Sequence, residues 1–454
     1  MRTTPTITRR GFVTGSLAAA TLGVHQRADA SEPKPSRARN VILFCADGIS
    51  PSAIGMADLV SRHSTGESLV WTRLLQETPN VAWLRTEPAD LLVTDSAAAA
   101  SSWSIGSRVN NGAVSVLPDG STPDPLLHRL SKDGFFTGVL TTTSIHDASA
   151  AAMLVNARSR YDSRAVIRQL AWSRVSLAMG GGLGAWREHA PRHSRRETLL
   201  TEWEDRDRID PTGHSQFMLL SEGDVPNALD RRDSEPSFVQ MVAQMVECAV
   251  ESAMSHALFL ENEHTDTLSH ANDAAGLVRE VFEVDNAIRY LVDHVASRDD
   301  TLLIITTDHG TSGPNFTLRS DEAPQHVERL LNARLSLITM MRRFNRLSER
   351  TGQALGEHIQ SAQGVTISQR ETEQLDAWLH DAPVDLFRLR NRLYCPIASV
   401  LGNYFGTAFV SHDHTSELIP AIAIGPGAEG IRGAQHHVDV HGVITRAIGK
   451  SPTT

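Results

Sequence analysis

Five apolar runs in this chain each stop abruptly on residues able to do chemistry: "VILFCADG" at 41–48, "LLVTDS" at 91–96, "GVLTTTS" at 138–144, "HALFLENE" at 256–263 and "TLLIITTDHG" at 301–310. Runs that are apolar at every position, rather than every second one, suit strands covered on both faces. Helical spacing fills the intervals. It is clearest in "GLVREVFEVDNAIRYLVDHVASR", where Leu277, Val281, Val284, Ile288, Leu291 and Val295 share one face. Such alternation implies an α/β fold with a mostly parallel central sheet flanked by helices. Ligands of such sheets gather at the carboxyl ends of the strands, where these Asp, Ser, Thr, Glu and His residues fall.

Residues 313–405 break the pattern. Their spacing is helical ("VERLLNARLSLITMMRRFNRL") and no apolar run with a polar stop interrupts them, so they read as a largely helical insertion near the C-terminal third. The N-terminus is different again. "TRRGFVTGSLAAATLGVHQRADA" has twin arginines (Arg9, Arg10), an apolar stretch too short to span a bilayer, and a small-x-small end at Ala28-Asp29-Ala30. That is the layout of a twin-arginine-type signal peptide over residues 1–30, ahead of an α/β domain at 31–454. The expectation is a periplasmic or secreted protein without a transmembrane anchor. A formal net charge of −10 argues against nucleic acid as a partner. Cys45, Cys248 and Cys395, odd in number and far apart, indicate neither a disulfide framework nor a thiolate zinc site.

Collected from the run ends, Asp47, Asp95, Ser96, Glu261, Asp266, His270, Asp308, His309 and His414 form a constellation with a chemical meaning. Carboxylates with imidazoles suit two zinc ions, and a further hard-oxygen site suits magnesium. Two metals about 4 Å apart clamp the attacking and leaving oxygens of an in-line phosphoryl displacement. In "VTDSAAAASSWS" a serine beside a carboxylate at a helix tip suits a nucleophile, although Ser or Asp also simply caps an alanine-rich helix.

The ordered motifs "FCADGIS", "VTDSAAAASSWSIGSRVNNGAVSV", "TTTSIHDASAAAMLVNARSR", "ENEHTDTLSHANDA", "TTDHG" and "SHDHTSELIPAIAIGPGAEG" resemble those of the alkaline phosphatase family, metal-dependent phosphomonoesterases, over nearly the whole mature length. The resemblance implies roles residue by residue. Ser96 is the nucleophile that becomes phosphorylated. Asp266, His270 and His414 hold one zinc; Asp47, Asp308 and His309 hold the second, which also meets Ser96. Asp47, Ser149 and Glu261 hold magnesium. Arg160 grips two phosphate oxygens, a bidentate task suited to a guanidinium. Asp95 orients that arginine or the nucleophile turn. The substrates implied are small-molecule phosphate monoesters, and a homodimer is compatible with the family.

Several positions depart from the family pattern. Ser149 stands where threonine is common, Asn-Glu-His-Thr replaces a glycine-rich stretch at 262–265, and Thr267 follows the zinc aspartate, while Asp147 keeps an acidic residue beside the magnesium layer. His412 competes with His414, but "TSELIPAIAIGPGA" aligns when His414 is the ligand. His436, His437 and His441 lie beyond the family's ligands and read as surface histidines. "MGGGLG" at 179–184 lacks the Lys-Ser/Thr of a phosphate loop and reads as a strand end. Trp103 reads as packing. The competing functions are a phosphatase or phosphodiesterase narrowed to one metabolite by the insertion, and a non-catalytic phosphate-binding relative. A sulfatase lacks its Cys/Ser-x-Pro-x-Arg motif here.

Overall fold

The computed structural model describes residues 37–191, 198–213, 215–296, 298–317, 323–380 and 395–451. The export signal read at 1–30 lies outside these residues. Ten strands form one sheet in the spatial order Gly433–His436, Val81–Arg85, Ile419–Ile424, Thr301–Thr306, Asn40–Ala46, His256–Asn262, Phe136–Ser144, Leu177–Gly181, Gln216–Leu219, Thr198–Leu200. Within it only Ile419–Ile424 runs against its neighbours; every other pairing is parallel.

The all-apolar strands are explained by cover on both faces. Along Asn40–Ala46, Ile42, Phe44 and Ala46 enter one core, with the helices Pro51–Thr65, Phe238–Glu251 and Ala274–Ala296. Val41, Leu43 and Cys45 enter the other, with Ser96–Ile105, Leu126–Lys132 and His437–Ala447. Leu277, Val281, Val284, Ile288 and Leu291 of the long helix are fully buried, each stabilising by about 1.5–3 kcal/mol relative to exposure. Cys45 and Cys248 are buried thiols.

Four of the five apolar runs are strands. The run at 91–96 is not: the strand is Val81–Arg85, and residues 89–93 are bends in which Leu92 is 86% exposed. Two leucines in an apolar run mimic a strand in sequence, but here they stand on a loop facing solvent. The triple glycine ends the strand Leu177–Gly181 and supplies a left-handed N-cap, Gly182, to the helix Leu183–His189. A Cβ on Gly181 would collide with the Gly223 carbonyl oxygen. Between the short strands Asn315–Phe316 and Thr407–Ala408, which pair antiparallel, lie the helices Ala323–Leu331, Leu337–Phe344, Gly352–Gln363, Gln369–His380 and Cys395–Phe405. Val327, Leu330, Met340 and Phe344 of these helices join the core that contains the long helix.

His436, His437 and His441 are buried, not on the surface, because their helix packs against Ser96–Ile105. His436 caps that helix, and His441 Nδ1 lies 2.8 Å from the Trp103 carbonyl oxygen. His437 stands 5.0 Å from the Trp103 ring with neither ring nitrogen partnered. Burial, reinforced by His436, pushes its pKa down to about 3. The unfolded chain therefore takes up a proton near pH 6.5 that the folded chain refuses, so stability present above that pH is lost as pH falls toward 3. Relative to wild type, the His437→Leu variant should gain about 1.4 kcal/mol for each pH unit below about 6.5. Urea unfolding of both proteins from pH 7 to pH 5 measures this; a gap that does not move with pH would contradict it.

Candidate active site

The carboxyl ends of the central strands bring the polar residues together. Asp47 directly follows Asn40–Ala46, Glu261 lies near the end of His256–Asn262, and Asp308 and His309 follow Thr301–Thr306. Asp266 and His270 lie one turn apart on the helix His264–His270, so they share a face. His414 pairs with Thr311 in a small antiparallel ladder, which carries it to His309. The two rings stack with centroids 3.6 Å apart. The turn after Asp47 needs Gly48: its φ is 66°, and a Cβ there would overlap the Asp266 side chain. Its amide donates to Asp308 Oδ1 at 2.9 Å.

Ser96 is the first residue of the helix Ser96–Ile105, and Asp95, not Ser96, is its cap. The cap is needed because the first amides of a helix have no internal acceptor, and Asp95 Oδ1 accepts from Ala98 N at 3.0 Å. Freed from capping, Ser96 Oγ points to His309 Nε2 at 3.3 Å. Small residues let this helix bury itself entirely, and its inner serines are bonded, as where Ser101 Oγ donates to Ala97 O. Trp103 is fully buried against Phe259 and His437, a packing role.

Two clusters of potential ligand atoms result: Asp266, His309 and His414, and Asp47, Asp308 and His309. His270 joins the first, with Nε2 3.1 Å from His414 Nε2 and 3.2 Å from Asp266 Oδ2. In the second, His309 Nε2 is 3.1 Å from Asp308 Oδ2 and 3.7 Å from Asp47 Oδ1. Ser149 Oγ lies 3.4 Å from Asp47 Oδ2. Ligand atoms of a tetrahedral site with bonds near 2.0–2.1 Å stand about 3.3 Å apart, close to these separations. Asp47 Oδ1, Asp308 Oδ2 and Glu261 Oε1 are buried without a hydrogen-bond partner, an arrangement that is costly for carboxylate oxygens unless a cation meets them. The donor set thus fits divalent cations.

The electrostatics agree. Burial and the charges of Asp308, Asp266 and Glu261 hold Asp47 well above the usual carboxylate range. Burial pushes Asp308 up to about 8, with Asp266 and Glu261 adding to it against the Gly48 amide. Burial raises Glu261 to about 7, partly offset by hydrogen bonds from Thr141 and Ser149. Asp266 moves the other way: burial is outweighed by His270, His414 and His309, and its pKa is lowered. Burial disfavours charge on His309 and His414, which are shifted down. On His270 burial is overcome by Asp266, and the pKa rises to about 9.

Arg160 is fixed between Asp95 Oδ2 at 3.3 Å and Asp147 Oδ1 at 3.2 Å. Burial opposes its charge, but Asp147, Asp95 and Asp47 outweigh it and raise its pKa. Asp95 serves both the cap and the arginine. At 262–267 the departures from the family pattern are accommodated: Thr267 Oγ1 donates to Glu263 Oε1 at 2.7 Å, and His264 Nε2 lies 2.6 Å from the Val225 carbonyl oxygen.

Supporting residues come from places the sequence reading did not single out. Asn111 ties the turn before Ser96, accepting from Asp95 N and donating to Val93 O. Thr311 Oγ1 donates to Asp266 Oδ1. His412, the rival of His414, holds His270 instead: its carbonyl oxygen meets His270 Nδ1, which fixes Nε2 toward the cluster, as the Thr94 carbonyl does for His414. Asn111 lies in the tail of "VTDSAAAASSWSIGSRVNNGAVSV", a usable signal; nothing in the sequence marks Thr311.

The family model described as "Alkaline phosphatase" matches residues 38–208 and 195–449. The chain belongs to the alkaline phosphatase family. Members of this family are phosphoric monoester hydrolases, and the family is metal-dependent. Alkaline phosphatase 4 of Bacillus subtilis is 23% identical over 450 residues, covering 96% of this chain and 94% of its own. Streptomycin-6-phosphate phosphatase of Streptomyces griseus is 24% identical over 508 residues, covering 97% of each. The crystal structure of Thermus thermophilus alkaline phosphatase shares the alkaline-phosphatase fold, with a TM-score of 0.83 at 22% identity, over 91% of this chain and 92% of the other. Among the described residues no helix is long and apolar enough to cross a membrane.

Proposed function

We propose that this chain is an exported phosphomonoesterase that works through a phosphoserine at Ser96. The observation that carries this reading is the placement of Ser96 Oγ at a helix N-terminus, 3.3 Å from His309 Nε2, within the buried group of unpartnered carboxylate oxygens. When bound, divalent cations at Asp266, His270 and His414, at Asp47, Asp308 and His309, and at Asp47, Ser149 and Glu261 (two zinc and one magnesium) supply Lewis-acid stabilisation of oxygen charge. The chain's own residues do the rest. Arg160, held rigid by Asp95 and Asp147, presents its guanidinium to two phosphate oxygens. Backbone amides at the helix start face the same anion.

Ser96 Oγ gives up its proton to solvent and attacks phosphorus. As that O–P bond forms, the ester O–P bond breaks, and its electron pair leaves on the alcohol oxygen, which takes a proton from solvent. Water then attacks the phosphoserine from the opposite side and releases a proton as its O–P bond forms; the Ser96 O–P bond breaks, Oγ takes up that proton through solvent, and inorganic phosphate departs. His309 and His414, shifted toward the neutral form, present nitrogen lone pairs throughout. The signal-like segment at 1–30 supports work outside the cytoplasm. A narrowed variant of the same chemistry is favoured by the helical segment beside the site and by kinship with an enzyme named for streptomycin 6-phosphate.

The test is turnover by the mature protein, loaded with zinc and magnesium, of p-nitrophenyl phosphate, bis(p-nitrophenyl) phosphate and p-nitrophenyl sulfate at alkaline pH. The monoester should turn over faster than the other two by about two orders of magnitude in kcat/KM. A diester or sulfate turned over as well as the monoester would overturn the reading.

A further inference from the structure

A cavity of about 680 Å³ lies between the helix Cys395–Phe405 and the loop that leads to His414. Its size is within the range that encloses a drug-sized organic molecule, about 300–1,000 Å³. Three lining residues tie it to the active site. Asn272 lies two residues after His270, while Ser411 and His412 lie just before His414. His412 touches the His270 backbone on one side, its Nδ1 3.1 Å from the His270 carbonyl oxygen, and Asn272 on the other, its Nε2 3.4 Å from Asn272 Nδ2.

The lining has a definite chemistry. None of its described residues is Asp, Glu, Lys or Arg. Amides and hydroxyls from Asn272, Asn403, Ser399 and Ser411 alternate with the apolar surfaces of Phe409 and Val410. Asn272 is buried, holds a φ of 52°, and leaves its Oδ1 without a hydrogen-bond partner. A buried acceptor without a partner is open to a donor that enters the cavity. Apart from the His412 imidazole, the described lining offers a charged group no ionisable side chain as a counter-charge. It rewards a hydroxyl placed against Asn272 Oδ1, whose absence leaves that buried acceptor unpaired.

We propose that this cavity receives the alcohol portion of the phosphomonoester, and that the portion it selects is an uncharged, hydroxyl-rich ring of the carbohydrate type. The inference rests on the phosphatase reading above. A hydroxyl of the ring donates to Asn272 Oδ1 and another meets the exposed Ser399 hydroxyl. Asn403, bonded to Glu371, and Ser411, bonded to Asp413, give a fixed polar wall, and the C–H face of the ring packs on Phe409 and Val410. Helix Cys395–Phe405 thereby acts as the specificity wall of an enzyme whose phosphate chemistry resides wholly in the α/β core.

The experiment compares kcat/KM of the metal-loaded protein for glucose 6-phosphate, ethyl phosphate and 6-phosphogluconate, with p-nitrophenyl phosphate as the control for phosphatase chemistry. Wild type should prefer glucose 6-phosphate to both ethyl phosphate and 6-phosphogluconate by about ten-fold or more. Ser399→Trp, which fills the cavity from an exposed position, should collapse that ratio toward one. Val410→Trp, at a residue 82% exposed on the facing wall, reports the same thing independently of any folding defect in the first variant. No preference in wild type, or a preference that both tryptophans leave intact, would overturn the inference while p-nitrophenyl phosphate turnover leaves the phosphatase reading standing. No turnover of p-nitrophenyl phosphate either would overturn that reading, and the inference with it.

Discussion

Ser96→Ala should lower kcat for a phosphomonoester by about 10⁴-fold, equivalent to ~5.5 kcal/mol of barrier. The protein should stay folded. The helix is capped by Asp95, so alanine at the first helical position keeps the cap and favours the helix intrinsically. The only hydrogen-bond contact made by Ser96 Oγ among the described residues is the one to His309. Metal content measured by elemental analysis should therefore match wild type within experimental scatter, separating a chemical role of Ser96 from loss of the site. The decisive comparison is steady-state turnover at saturating substrate with thermal unfolding run in parallel. Retention of activity within about ten-fold of wild type would remove Ser96 from the mechanism.

Asp308→Asn should produce opposite effects on two properties. Oδ1 accepts from the amides of Gly48 and His309, both at 2.9 Å, and the asparagine carbonyl can accept the same two bonds. Oδ2 has no hydrogen-bond partner and lies 3.1 Å from His309 Nε2; there the variant substitutes an NH2 group for an anionic donor. Metal occupancy should fall, and activity with it by about 10²–10³-fold. The metal-free protein should become more stable. In wild type the Asp308 pKa is raised to about 8, so the folded state holds a proton that the unfolded chain releases near pH 4. Stability is then greatest below the unfolded pKa and falls as pH rises toward the folded one, and asparagine removes that slope. Thermal melts of both proteins in chelator at pH 5 and pH 8 read it directly. A metal-free variant that is no more stable than wild type at pH 8 would contradict the raised pKa of Asp308.

Much of the site could be read from the sequence because chemistry constrained residue type at the strand ends. Asp47, Glu261, Asp308 and His309 sit where an apolar run stops, and the one-turn spacing of Asp266 and His270 marks a helical face. The run at 91–96 misled for a physical reason. Leu91 and Leu92 are apolar yet stand on an exposed loop, and hydropathy alone does not distinguish a buried strand from leucines at a rim. The sequence leaves the cap open between Asp95 and Ser96 because Asp and Ser are equally good caps, and only the bond from Ala98 decides for Asp95. His436, His437 and His441 were misplaced because burial of a neutral imidazole depends on the partner helix that covers it. His412 and Thr311 act through a backbone carbonyl and a single hydroxyl, and neither role leaves a periodic trace in sequence.

The paired strands Asn315–Phe316 and Thr407–Ala408 bring the chain back to where it left the core. The stretch between them is topologically a closed excursion. The entropy of closing such an excursion grows only slowly with its length, so what lies within it can lengthen, shorten or be exchanged without shifting the register of the ten-stranded sheet or the seats of Asp308 and His414. One requirement survives any exchange: an apolar face to replace Val327, Leu330, Met340 and Phe344 against the core. Descent with variation in this cassette would leave hydrolysis untouched while altering which molecules are presented to it, so relatives that share every ligand residue can diverge in diet.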